Sequence, residues 1–158
     1  MQHLWSILSK KSVIDSMTNN ISIMDVIDEV KVDLTLPKNL GEIKNIGIPV
    51  EFEITSLWYR ETPNDELPFY FRIEFYDPSG NILNVFESPI AFQKDKKRLR
   101  SQSKIQGLPI NDSGVYKFII NFKEKDTENY QKVAELPIDV IVNKTAGEEV
   151  PIQPTATK

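Results

Sequence analysis

The chain predicts an all-β fold, an antiparallel β-sandwich with a polar C-terminal tail. Three observations predict it. Apolar residues recur with a period of two along most of the 158 residues, which is the period of a strand with one buried face. Turn residues punctuate the pattern at short intervals. Ten prolines and a near-absence of helical periods argue against long helices.

The strands follow in order. Met24, Val26, Val30, Val32 and Leu34 alternate with Asp25, Glu29, Lys31 and Asp33. Asp28 falls on the apolar row and marks a bulge or a break. The stretch from Pro37 to Gly47 reads as a loop. Ile48, Val50, Phe52, Ile54, Ser56 and Trp58 form the next inward row, with Glu51, Glu53 and Thr55 outward. Phe69, Phe71, Ile73 and Phe75 alternate with Tyr70, Arg72, Glu74 and Tyr76. Asp77-Pro78-Ser79-Gly80-Asn81 then has the chemistry of a tight turn, so residues 69–77 and 81–87 form a hairpin. Tyr116, Phe118, Ile120 and Phe122 make another row, and Ala134, Leu136, Ile138, Val140 and Val142 the last. The polar run 123–130 links these two. Seven or more short strands result. The sandwich occupies residues 1–142. Residues 143–158 hold two prolines and no aromatic, too little apolar surface to offset ordering entropy, and are expected to be disordered.

Composition narrows the chemistry. Cysteine is absent, which excludes disulfides, thiolate metal sites and Cys nucleophiles. A single histidine, His3, leaves no His-rich metal site and no evident Ser–His pairing. No phosphate-binding loop, dinucleotide fingerprint or nucleophile elbow is present. Asp25, Asp28, Glu29 and Asp33 lack the spacing of a calcium loop. The expectation is therefore no enzyme, no cofactor and no metal. No stretch reaches the roughly 20 apolar residues of a membrane span. The N-terminal apolar run precedes its charges, the reverse of a secretory signal. The expectation from these features is a cytoplasmic protein with no membrane partner.

One motif carries structural specificity. Asp112-Ser113-Gly114-Val115-Tyr116-Lys117-Phe118 has the form D-x-G-x-Y-x-Φ. It resembles the tyrosine corner of immunoglobulin-like sandwiches, where a Tyr hydroxyl bonds back to upstream backbone. Phe118 stands where antibody-type domains carry their second Cys, and Trp58 suits the core indole. The plainer reading of Tyr116, a buried corner residue, outweighs that of a ligand contact. A wider resemblance joins Gly107-Leu108-Pro109-Ile110, Gly114 to Ile120, and Leu136-Pro137-Ile138-Asp139-Val140. Together with residues 21–26 these are similar to an uncharacterised bacterial family of small β-sandwich proteins, known as a domain of unknown function. The start, His3-Leu4-Trp5, departs from that family, which has small residues and a Cys there. The resemblance implies a fold and a bacterial setting. It implies no reaction.

The formal charge is −4, which disfavours the whole protein as a polyanion binder. The charge is uneven, however. Lys94, Lys96, Lys97, Arg98, Arg100 and Lys104 cluster within residues 91–110 against one acid, Asp95. On a strand, Arg98, Arg100, Gln102, Lys104 and Gln106 share one face, and Leu99, Ser101, Ser103 and Ile105 the other. That face suits an acidic protein partner, phosphate or nucleic acid. It also suits a solvated edge whose charges discourage edge-to-edge pairing. Tyr59, Tyr70 and Tyr76 are outward aromatics that would form an interface if they share a sheet face. The leading expectation is a non-catalytic interaction module that binds another protein or itself. Phosphate or nucleic-acid binding through residues 94–104 is the alternative.

Overall fold

The computed structural model describes residues 1–18, 20–36, 46–61, 69–93, 95–110, 112–124 and 128–147. These form nine strands: β1 (Gln2–Ile14), β2 (Ile21–Val26), β3 (Glu29–Leu36), β4 (Ile46–Tyr59), β5 (Phe69–Tyr76), β6 (Ile82–Ile90), β7 (Arg98–Ile110), β8 (Gly114–Lys123) and β9 (Gln131–Ala146). They build two sheets, in the orders β2-β1-β4-β7 and β3-β9-β8-β5-β6. The fold is an all-β sandwich. One pairing departs from the antiparallel expectation: β3 runs parallel to β9, Glu29 beside Asp139 through Leu36 beside Ala146.

The core lies where the inward rows of the two sheets meet. Ile54, Trp58, Phe69, Phe71, Phe75, Ile110, Tyr116, Phe118, Ile120 and Ile138 are all buried there. Trp58 is its centre, packed against Phe69, Phe71 and Phe122 at ring separations of 5.1, 5.7 and 5.9 Å. Its indole N–H donates to Ser101 Oγ at 3.0 Å, so the buried ring leaves no unsatisfied donor. The hairpin expected over residues 69–87 is present, closed by a turn in which Gly80 N–H donates to Asp77 O at 3.0 Å. Gly80 adopts φ +86°, a conformation that favours glycine.

The sequence reading needs three corrections. First, of the two alternatives at Asp28 the break holds and the bulge does not: the row from Met24 to Leu34 is two strands, β2 and β3, placed in different sheets. The break falls at Ile27–Asp28, next to Asp25 with φ +52°, and Asp28 O accepts the Asp139 N–H at 2.8 Å. Second, β9 runs past Val142 to Ala146 because β3 supplies a parallel partner for those residues. Asn143 Nδ2 donates to Asp33 at 2.9 Å, which ties the extension down. Residues 148–158, the remainder of the expected tail, lie outside the described residues, as do residues 37–45 of the expected loop. Third, β1 is a full strand that the alternation does not announce. A register shift between His3 and Trp5 moves its row to the other face partway along.

β1 also bends. Its first half pairs with β4, up to Ser9 beside Glu53. Beyond Ser9, the strand folds over the outward face of β4 and β7. Ser12 Oγ accepts from Thr55 Oγ1 at 2.8 Å and from Gln102 Nε2 at 2.7 Å. Ser12 N–H and hydroxyl both donate to Glu53, at 2.6 and 2.7 Å. This flap is why Ser9 and Thr55, both outward by strand register, are 0% exposed.

Candidate functional site

The basic block is the first candidate. β7 alternates as its sequence requires, with Arg98, Gln102, Lys104 and Gln106 exposed and Ser101 and Ser103 buried. Arg100 is half-buried on the outward side. Across the ladder, Arg98 faces Tyr59, Arg100 faces Leu57, Gln102 faces Thr55, Lys104 faces Glu53 and Gln106 faces Glu51. Two of the three cations therefore sit beside neutral residues. Glu53, opposite Lys104, is held by Ser12. Among the described residues Arg98, Arg100 and Lys104 make no ion pair. The buried Arg100 Nε has no hydrogen-bond partner there either. The row is not the continuous polar face expected from the sequence, because the flap engages Gln102 at its middle.

The backbone of Lys96 and Lys97 is held by Arg60, a residue the sequence reading passed over. Arg60 is only 7% exposed. Its Nε donates to Lys96 O at 2.9 Å and a terminal nitrogen to Gln93 O at 3.1 Å. Its backbone N–H donates to Lys97 O at 2.9 Å, and its guanidinium lies 4.7 Å from the Phe92 ring centre. The available signal was positional: Arg60 continues the inward row of Ser56 and Trp58, and a cation there needs buried acceptors. Lys94 lies outside the described residues.

The tyrosines do not form one surface. β4 and β5 belong to different sheets, so Tyr59 faces outward on the four-stranded sheet and Tyr70 and Tyr76 on the other. All three are half-buried. The Tyr76 hydroxyl donates to Glu74 at 2.9 Å, and Lys123 Nζ lies 4.9 Å from the Tyr70 ring centre. Lys123 also lies 4.9 Å from the ring of Tyr130, and Arg72 5.1 Å from that same ring. Tyr130, within the polar run, was not anticipated. Further along this face Glu135 is bridged by Lys117 at 2.8 Å and by Lys132. Hydrogen bonds from Lys117 and Lys132 hold its carboxyl at about 2.

The Asp112–Phe118 segment has a structural geometry. Tyr116 is 1% exposed, and its hydroxyl donates to Asp112 O at 3.0 Å. Its ring stacks on Phe75 at 5.5 Å, and Phe118 stacks on Phe75 at 4.6 Å. Gly114 is pressed against the β5–β6 turn: a Cβ there would stand 2.6 Å from Pro78 Cγ. Ser113 Oγ accepts from Val142 N–H at 2.8 Å, and Lys144 pairs with Asp112 at 2.6 Å.

His3 corrects one expectation. Its Nε2 lies 2.7 Å from Ser6 Oγ, which lies 2.6 Å from Ser56 Oγ, so a Ser–His pairing exists. The ring sits edge-on against Trp58 at 5.0 Å, and burial lowers its pKa. Among the described residues no carboxylate hydrogen-bonds the ring to orient it as a base. No cluster of three potential metal ligands occurs among the described residues, and no described helix is long and apolar enough to cross a membrane.

The remaining feature is a groove between the sheets, on the side where β6 and β7 are the outermost strands. It encloses about 200 Å³ and is lined by Ile73, Phe75, Phe86, Ile105, Leu108 and Phe118, with Lys104 at its rim. Compared with known protein families and with curated proteins, the chain matches none.

Proposed function

We propose that the chain is a non-catalytic, cytoplasmic protein-interaction module built on an immunoglobulin-like scaffold. Three features support the scaffold reading. β4 pairs with β7 in one sheet, β5, β8 and β9 are neighbours in the other, and the Tyr116 hydroxyl bonds back to Asp112. The resemblance to the bacterial domain-of-unknown-function family belongs to the same reading. The observation that carries the functional part is the β7 edge. There, Arg98 and Arg100 stand opposite neutral residues and Lys104 opposite a Glu53 that Ser12 holds, and none of the three makes an ion pair among the described residues, beside an apolar groove. A positive row of this kind steers and selects an acidic partner.

The test is capture of the tagged protein from its native host at about 0.15 M salt, a physiological ionic strength, with and without nuclease. A stoichiometric, nuclease-resistant protein partner is the expected outcome. A second reading, phosphate or nucleic-acid binding, draws on the same unpaired cations. It requires affinity to fall steeply with salt. Nuclease-sensitive capture with a steep salt slope would replace the first reading with the second.

A further inference from the structure

The groove lies where one sheet is narrower than the other, and β6 shows it best. Ile73 faces Phe86 across the β5–β6 ladder, and Phe75 faces Asn84. Phe86 and Asn84 thus belong to the inward row that buries Ile73 and Phe75. Yet Phe86 is 49% exposed, against 4% for Ile73. Among the described residues nothing of the four-stranded sheet lies over β6, because that sheet ends at β7. Among the described residues one strand position is therefore open, beside β7 and above β6. Sheets pack roughly 10 Å apart and neighbouring strands about 4.8 Å apart, so an extended segment fits that position.

Resting on the interaction-module reading, we infer that an extended peptide with alternating apolar and acidic residues docks there by adding a strand to β7. Its backbone pairs with the edge of β7 that β4 leaves unused. Its inward side chains enter the groove over Phe86, Ile73, Ile105 and Leu108. Its outward side chains come beside Arg98, Arg100 and Lys104, within the roughly 5 Å of directly opposed residues. Charge selects this occupant over a second copy of the chain. Pairing β7 with another β7 would set two basic rows side by side, and like charges across a ladder are destabilising. Affinity then comes from main-chain hydrogen bonds, and selectivity from alternate side chains.

The probe is a fluorescein-labelled ten-residue peptide alternating Val and Glu, compared with one alternating Val and Lys. Binding is read by anisotropy and by amide chemical shifts of the full chain. The Val–Glu peptide is expected to bind at least about tenfold more tightly than the Val–Lys peptide. It should shift amides along residues 98–108 and near Phe86. Arg98→Glu with Lys104→Glu should cost about tenfold in affinity, and Phe86→Ser should weaken binding too. Both alter exposed positions, and an unchanged thermal midpoint checks that the fold is retained. Equal binding of the two peptides, or binding indifferent to these variants, would overturn the inference. Shifts confined to the Tyr70–Tyr76–Lys117 face would remove the strand site and leave the interaction module standing. Binding of neither peptide would also remove the strand site, while a stoichiometric protein in the capture experiment would still uphold the module. A β7-mediated dimer that forms without peptide would replace the peptide with a second copy and overturn the choice of occupant.

Discussion

β5 and β6 are neighbours in one sheet, joined by a tight turn and paired from Phe69–Ile90 to Tyr76–Ile82. Both place apolar side chains on the inward face. On β5 those side chains are buried: Phe69, Phe71, Ile73 and Phe75 are all at 4% exposure or less. On β6 the same face holds Phe86 half in solvent. The inward row of β6 also carries Asn84 and Ser88, but the exposure of Phe86 follows from what lies across from it. β4 and β7 cover β5, whereas β6 extends past the edge of the narrower sheet. Period-two patterning assigns a side chain to a face, and the opposite sheet decides whether that face is buried.

The sharpest way to break this comparison is a pair of truncations. Phe118→Ala, in the covered centre, should cost about 3–5 kcal/mol in urea unfolding. Phe86→Ser, on the uncovered row, should cost less than about 1 kcal/mol. Equal losses at the two positions would mean that β6 is covered. Next comes Gly114→Ala. Its methyl would collide with the Pro78 ring and hold a strained backbone, a loss of about 1–3 kcal/mol. A neutral effect would mean the turn can move away, and the β5–β6 hairpin would be less fixed than its register suggests. Tyr116→Phe should lower stability by about 1–2 kcal/mol through the unsatisfied Asp112 carbonyl. An unchanged denaturation midpoint would make that hydrogen bond incidental.

The smallest effect is a pH dependence. Burial lowers the His3 pKa in the folded state, so the unfolded chain takes up the proton more readily. This contribution is present above the ordinary histidine value of about 6.5 and is lost as pH falls through it toward the lower folded value. His3→Gln should flatten the stability profile between about pH 7.5 and 5. A profile identical to that of the parent would place His3 outside the folding linkage.

Much of this was legible in the sequence, and the reason is local. The rows of β4, β5, β8 and β9 repeat apolar residues at every second position, and strand geometry converts that pattern directly into faces. The basic row of β7 was legible in the same way. What stayed hidden depends on partners far along the chain. β1 is masked by its register shift and by its bend over β4. Residues 143–146 look like the start of a tail until β3 lies beside them. Whether the three tyrosines share a face was left open in the sequence, because strand register reports faces, not sheet membership. Arg60 and Tyr130 act through backbone carbonyls and cations that no short window contains. The open position above β6 follows from unequal sheet widths, which only the assembled topology fixes.

Amide hydrogen exchange along β7, compared with β5 and β8, tests that open position most directly. With one side of β7 unpaired, alternate amides along residues 98–110 should exchange at near-solvent rates while those bonded to β4 stay protected. The amides of β5 and β8 should be protected throughout. Uniform protection along β7 would mean that its outer edge is already occupied, and the open strand position would not exist.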